Sequence, residues 1–211
     1  LYILAFDHRG TLTKGLLGVE GRQPSEEEVA RVSSMKDIIF DGFLEASSKG
    51  IEGGDPAILV DETFGLQVQN RAKDMGIKLA APVEKSGQKI FDFEYGDNFG
   101  EKIKEVNADF VKILVRWNPD DDSETRQIQG ERIKILSDWL DENERKFLLE
   151  FLVPASEEQL ASVGGDQSRY DSEIRPKLAV QVVEEMRERG ADPDIWKIEG
   201  LDTVEDNENV S

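Results

Sequence analysis

The chain has 211 residues, a formal charge of −19 and no cysteine. Missing thiols exclude disulfides, thiolate metal sites and cysteine nucleophiles and fit a cytoplasmic location, while the negative field argues against nucleic acid or an anionic membrane as partner. Hydrophobic content of 38% and charged content of 34% suit a soluble globular protein, with no apolar run near the ~20 residues of a membrane span and no signal-peptide pattern.

In chain order, a strand at Tyr2–Phe6 closes on Asp7-His8-Arg9. Ser25–Glu28 is a capping-box pattern opening a helix to about Lys49, ended by Gly50. Its apolar positions Val29, Val32, Ile39, Phe43 and Leu44 fall on one helical stripe. A strand at Ala57–Val60 runs into Asp61-Glu62, and a helix at Phe64–Met75 ends at Gly76. The strand Ile77–Val83 leads to Glu84-Lys85-Ser86-Gly87, followed by a helix at Asn98–Val106 and a strand at Phe110–Val115. Asp120–Asp122, between Pro119 and Ser123, read as a solvated turn into a helix over Glu124–Asn143. The last elements are a strand at Phe147–Val153, a helix over Ser172–Arg189 ended by Gly190, and a strand at Ile195–Ile198. Pro176 restricts that helix's start, because proline is tolerated only in the first turn.

Six strand-then-helix units with largely continuous apolar strands predict a parallel α/β sheet. Polar groups gather after the strands, and the first turn, AFDHRG, has no GxGxxG. Both favour a (β/α)8 TIM barrel over a doubly wound open sheet. The whole of residues 1–211 reads as one such barrel domain. The chain starts in a strand without Met or leader and stops in what reads as a starting helix. The expectation is a segment of a longer protein, with two βα units beyond Ser211.

Three predicted strands each carry one charge among apolar neighbours: Lys112, Glu150 and Lys197. A buried charge is costly unless it is paired or neutralised, so all three are candidates for a polar site. Lys197 reads as a Schiff-base nucleophile, with Lys112 as a neighbouring cation that lowers its pKa, or as a plain ion-pair partner of Glu199 or Glu150. Glu150 reads as a general acid/base or as the ion-pair partner of Lys112. Asp7 orients a lysine or substrate hydroxyls, or caps its turn. Lys85 reads as a phosphate contact with Gly87 admitting the backbone, and Arg9 and Glu84 join it as substrate-binding candidates. A single histidine, His8, excludes multi-histidine metal sites. Asp7, Asp61 and Glu62 could instead ligate Mg²⁺, although two lysines in the same site would compete with it.

AFDHRG at Ala5–Gly10, EKSGQ at Glu84–Gln88, DFVKILVRWNP at Asp109–Pro119, FLLEFLVP at Phe147–Pro154 and DIWKIEGLD at Asp194–Asp202 occur in this order. Together they resemble the aldolase-like, DUF2090-type domain found C-terminal to bacterial 5-dehydro-2-deoxygluconokinases. That domain is similar, more distantly, to the class I tagatose-bisphosphate aldolases. The resemblance implies a barrel that needs no metal or organic cofactor, with Lys197 as Schiff-base lysine and Glu150 as proton-transfer carboxylate. Lys112 and Asp7 match supporting residues, and Lys85 matches a lysine of a related loop. It further implies a cytoplasmic lyase of inositol catabolism cleaving a phosphorylated keto sugar or keto sugar acid, such as 2-deoxy-5-keto-gluconate 6-phosphate. A carbohydrate kinase domain ahead of Leu1 and a homo-oligomer are the partners to look for. The rival expectations are a Mg²⁺-dependent barrel lyase and a non-catalytic sugar-phosphate-binding scaffold attached to a kinase.

Overall fold

A computed structural model describes residues 1–50 and 55–210. By internal contacts the chain divides into two compact units, residues 1–87 with 94–112 and residues 88–93 with 113–211.

The first unit holds β1 (Tyr2–Ala5), α1 (Gly10–Leu17), α2 (Glu26–Ser48), β2 (Pro56–Leu59), α3 (Glu62–Asp74), β3 (Lys78–Pro82), α4 (Phe99–Val106) and the start of β4 (Phe110–Arg116). The capping box is present: the Ser25 hydroxyl accepts from Glu28 N and the Glu28 carboxylate accepts from Ser25 N. Strand pairing is parallel, with Ala5 opposite Leu59, Leu59 opposite Ala80, and Pro82 opposite Lys112. Because side chains alternate across a strand, this register assigns two faces. Ile58, Val60, Leu79 and Ala81 join Phe40, Phe43, Val68 and Ala72 of α2 and α3 in one buried apolar cluster. Leu59, Ala80 and Lys112 share the opposite face. Gly65 of α3 sits so close to the sheet that an added Cβ would stand 2.3 Å from Val60 Cγ2.

The second unit holds the rest of β4, α5 (Ser123–Glu142), β5 (Lys146–Leu152), α6 (Glu157–Ser162), α7 (Gln167–Glu173), α8 (Arg175–Glu188), β6 (Ile195–Lys197) and α9 (Val204–Val210). The turn before α5 is built from the three aspartates. Asp122 caps α5 through Thr125 N, Asp121 accepts from Asn118 N, and Asp120 accepts from the Gln159 amide.

All six predicted strands form, and their order in the sheet is their order along the chain. Gly87, in the loop after β3, has a φ of +75°, which calls for glycine. Two expectations change. The helix predicted over Ser172–Arg189 begins earlier and breaks into α7 and α8 at Ile174. Pro176 has no N–H for the carbonyl four residues back and its ring clashes with it, so the helix restarts with proline in its first turn. Finally, β6 is not a buried strand. All three of its residues are half-buried, as befits the last strand of the order.

Candidate active site

The first unit brings four of the expected residues together: Asp7 and Arg9 follow β1, Glu84 follows β3, and Lys112 is the third residue of β4. Lys112 Nζ, only 2% exposed, donates to Asp7 Oδ2 at 2.8 Å and to Glu84 Oε1 at 3.1 Å. Arg9 Nη2 donates to the same Glu84 oxygen at 2.8 Å. Two cations thus face two carboxylates, with Glu94 Oε2 a further 3.7 Å from Arg9 Nη1. This cluster is neutral at best and offers an incoming anion no net attraction. Arg9 is spent on Glu84, and Lys85 is exposed on the loop beyond it.

Glu84 Oε2 is buried and has no hydrogen-bond partner among the described residues. Burial pushes the Glu84 carboxyl above the ordinary range, against the opposing pull of Lys112 and Arg9. A carboxyl raised in the folded state keeps a proton that the unfolded chain has already released. Stability therefore declines as pH rises from the ordinary carboxylate range through the raised value, and levels off above it. Glu84→Gln is expected to flatten that decline. Urea midpoints followed from about pH 4 to about pH 8 test it, and parallel profiles for both proteins would contradict it.

Beneath this cluster lies a pair that the sequence reading missed. Lys36 is fully buried on α2 and donates to Asp61 Oδ1, to Phe6 O at 2.7 Å and to His8 O at 3.0 Å. Asp61 Oδ2 accepts from Phe64 N at 2.9 Å and so caps α3. Burial pushes the Lys36 ammonium down and the Asp61 carboxyl up, each against the attraction of the other. The signal was present: Lys36 falls four residues after Val32 and four before Phe40, on the buried stripe of α2.

The carboxylates of the Mg²⁺ alternative have different partners. Asp61 holds Lys36, Asp7 holds Lys112, and Glu62 holds Lys102 at 2.7 Å and the Tyr95 hydroxyl at 2.9 Å. Among the described residues no group of three or more His, Cys, Asp or Glu is arranged to hold a metal ion. Arg9 and Glu94 of this cluster, with Asp61, also border a narrow crevice walled by Ala81, Val83, Ile103 and Val111, which neither Lys112 nor Glu84 lines.

In the second unit, Glu150 and Lys197 are direct register partners on adjacent parallel strands. Lys197 Nζ donates to Glu150 Oε1. The Glu150 side chain is 10% exposed and that of Lys197 36%. The pairing is held by its surroundings. Trp196 packs edge-on against Phe151 with ring centroids 6.2 Å apart, and Arg187 lies over its ring. Glu199 Oε2 accepts from Val153 N at 3.0 Å, fastening the segment after β6 to the end of β5.

A family model described as "Uncharacterized protein conserved in bacteria (DUF2090)" matches residues 1–211. Two curated relatives are the tagatose 1,6-diphosphate aldolases of Lactococcus lactis subsp. lactis and Streptococcus pneumoniae serotype 4. Each is 23% identical over 201 residues, covering 93% of this chain and 56% of its own length. The chain thus spans a little over half the length of these relatives. A solved structure of the tetrameric deoxyribose phosphate aldolase of Aeropyrum pernix superposes with a TM-score of 0.43 at 14% identity, over 84% of this chain and 59% of that one.

Proposed function

The chain belongs to the DUF2090 family, and we propose that it is a class I aldolase-type lyase that forms a Schiff base through Lys197. The observation that carries this reading is the register pairing of Lys197 with Glu150, a half-buried lysine held against a buried carboxylate. The names of the two curated relatives favour the same chemistry.

An amine attacks a carbonyl only when unprotonated. Lys197 stands directly beside the Glu150 carboxylate. The proposed activation is therefore by an adjacent base. Glu150 accepts a proton from the Lys197 ammonium, and the freed amine adds to the ketone carbon of the substrate to give a carbinolamine. Glu150 returns the proton to the carbinolamine oxygen, water leaves, and an iminium remains. Glu150, again a carboxylate, takes the proton of the hydroxyl on the carbon that becomes the aldehyde, while the iminium draws the electron pair of the breaking C–C bond onto nitrogen and the aldehyde departs. Protonation of the resulting enamine and hydrolysis release the ketone product and regenerate Lys197. In this reading Lys112 and Asp7 keep the supporting roles that the resemblance implies, within a (β/α)8 barrel. The substrate is a phosphorylated keto sugar or keto sugar acid, 2-deoxy-5-keto-gluconate 6-phosphate being the specific candidate, with dihydroxyacetone phosphate and malonate semialdehyde as products. Attachment to a carbohydrate kinase belongs to the same reading.

Borohydride reduction of the full-length protein with dihydroxyacetone phosphate tests it. The expected result is a reduced adduct on the peptide containing Lys197, absent in Lys197→Met. A wild-type protein that turns substrate over without an adduct sinks the mechanism, and one that binds phosphosugar without turnover or adduct supports the scaffold reading instead.

A further inference from the structure

The most deeply buried cation described in the first unit takes no part in the proposed chemistry. Lys36 is fully buried, and each of its three ammonium protons has an acceptor: Phe6 O, His8 O and Asp61 Oδ1. The two carbonyls belong to the residues immediately before and after Asp7. This is where the chain most needs an anchor. β1 ends at Ala5 and α1 begins at Gly10, so Asp7, His8 and Arg9 lie in neither element. Yet Asp7 must meet Lys112 at 2.8 Å, and Arg9 must meet Glu84 at 2.8 Å.

Packing does not explain a lysine at this position. A buried ion pair is often no more stable than well-packed apolar residues of similar volume, and α2 already presents Val32, Phe40 and Phe43 on the same face. An ammonium supplies what an apolar side chain cannot, namely directional bonds to two specified carbonyls. Its stem runs past Gly65, whose added Cβ would stand in ordinary contact 3.7 Å from Lys36 Cδ. Asp61 supplies the counter-charge while capping α3.

We propose that Lys36 is a positioning residue: by clamping the carbonyls on either side of Asp7, it sets the direction in which that carboxylate meets Lys112. The inference holds whatever reaction the protein performs.

The test reads the Asp7–Lys112 interaction directly. Asp7→Asn, Lys112→Met and their combination form a double-mutant cycle, and urea unfolding of the full-length protein gives the factor by which the two replacements fail to multiply. The cycle is then repeated with Lys36→Met and Asp61→Asn together, which removes both charges and keeps an oxygen to cap α3. A coupling of about tenfold in the native background is expected to shrink to about twofold or less. A loss of stability alone lowers all four corners equally and leaves the coupling intact, so unchanged coupling would reduce Lys36 to a packing residue and overturn the proposal. If that background does not unfold cooperatively, the cycle in Lys36→Arg decides. The longer, planar guanidinium must displace the same carbonyls, so coupling is expected to fall by at least about threefold, and unchanged coupling again overturns the proposal.

Discussion

Lys36→Met alone is expected to destabilise the protein by about 3–5 kcal/mol, because it leaves Asp61 as a buried charge without its cation. Asp61 is 1% exposed and cannot turn to water for compensation. The carbonyls of Phe6 and His8 lose a donor as well, and a buried acceptor left unmade costs about 1–3 kcal/mol. These terms overlap, so the ion-pair figure bounds the expectation better than their sum does. The choice of probe matters. All three tryptophans, Trp117, Trp139 and Trp196, belong to the second unit, so indole fluorescence reports the wrong half of the chain. Circular dichroism, or hydrogen exchange of peptides from β1, α2 and α3, reports the right one. A loss below about 1 kcal/mol, the range of an exposed ion pair, would mean that the pair is not buried as described.

Glu150→Gln is expected to lower turnover by about 10²–10⁴-fold, the usual contribution of a positioned general acid/base. The amide keeps the size and one acceptor of the carboxylate, so β5 and the Lys197 contact survive while proton transfer does not. Two readouts separate this role from a structural one. Borohydride trapping at Lys197 should become slower but not vanish, and the thermal midpoint should move little. Lys197→Met, by contrast, removes the covalent bond itself and should abolish trapping and turnover together. Equal turnover in Glu150→Gln and the native protein would reassign Glu150 as an ion-pair partner only.

Much of this was legible because two periodicities are physically simple. Apolar strand runs separated by helical stretches gave all six strands to within a residue or two, and Ser25–Glu28 located the start of α2. The same logic of a charge among apolar neighbours singled out Lys112 and Glu150, both buried. It did not show that β6 is only half-buried, because the three apolar or aromatic residues of Ile195–Ile198 are too few to fix a strand's burial. The short helices were harder. The segment of α1, GTLTKGLL, contains two glycines and two threonines, all poor helix formers. For α6 the capping pair Ser156 and Gln159 was visible but the helix is only six residues long. Lys36 escaped because the exception was sought in strands and not on the helical stripe. Lys85 is singled out by its loop and by the resemblance, and the charge of Arg9 does not reveal its pairing with Glu84.

The pairing of Glu150 with Lys197 depends on parity. Residues on a strand alternate between faces, so displacing β6 by one position against β5 would send Lys197 to the side now occupied by Trp196 and set the indole in its place. Between β5 and β6 the connecting loops can lengthen or shorten by a residue at modest cost, because Trp196 on Phe151 and Glu199 on Val153 reset the frame. Inside Ile195–Lys197 the same one-residue insertion has no such remedy. The strand is three residues long, and a single frame error there would take Lys197 away from Glu150 while leaving the composition of the second unit almost unchanged.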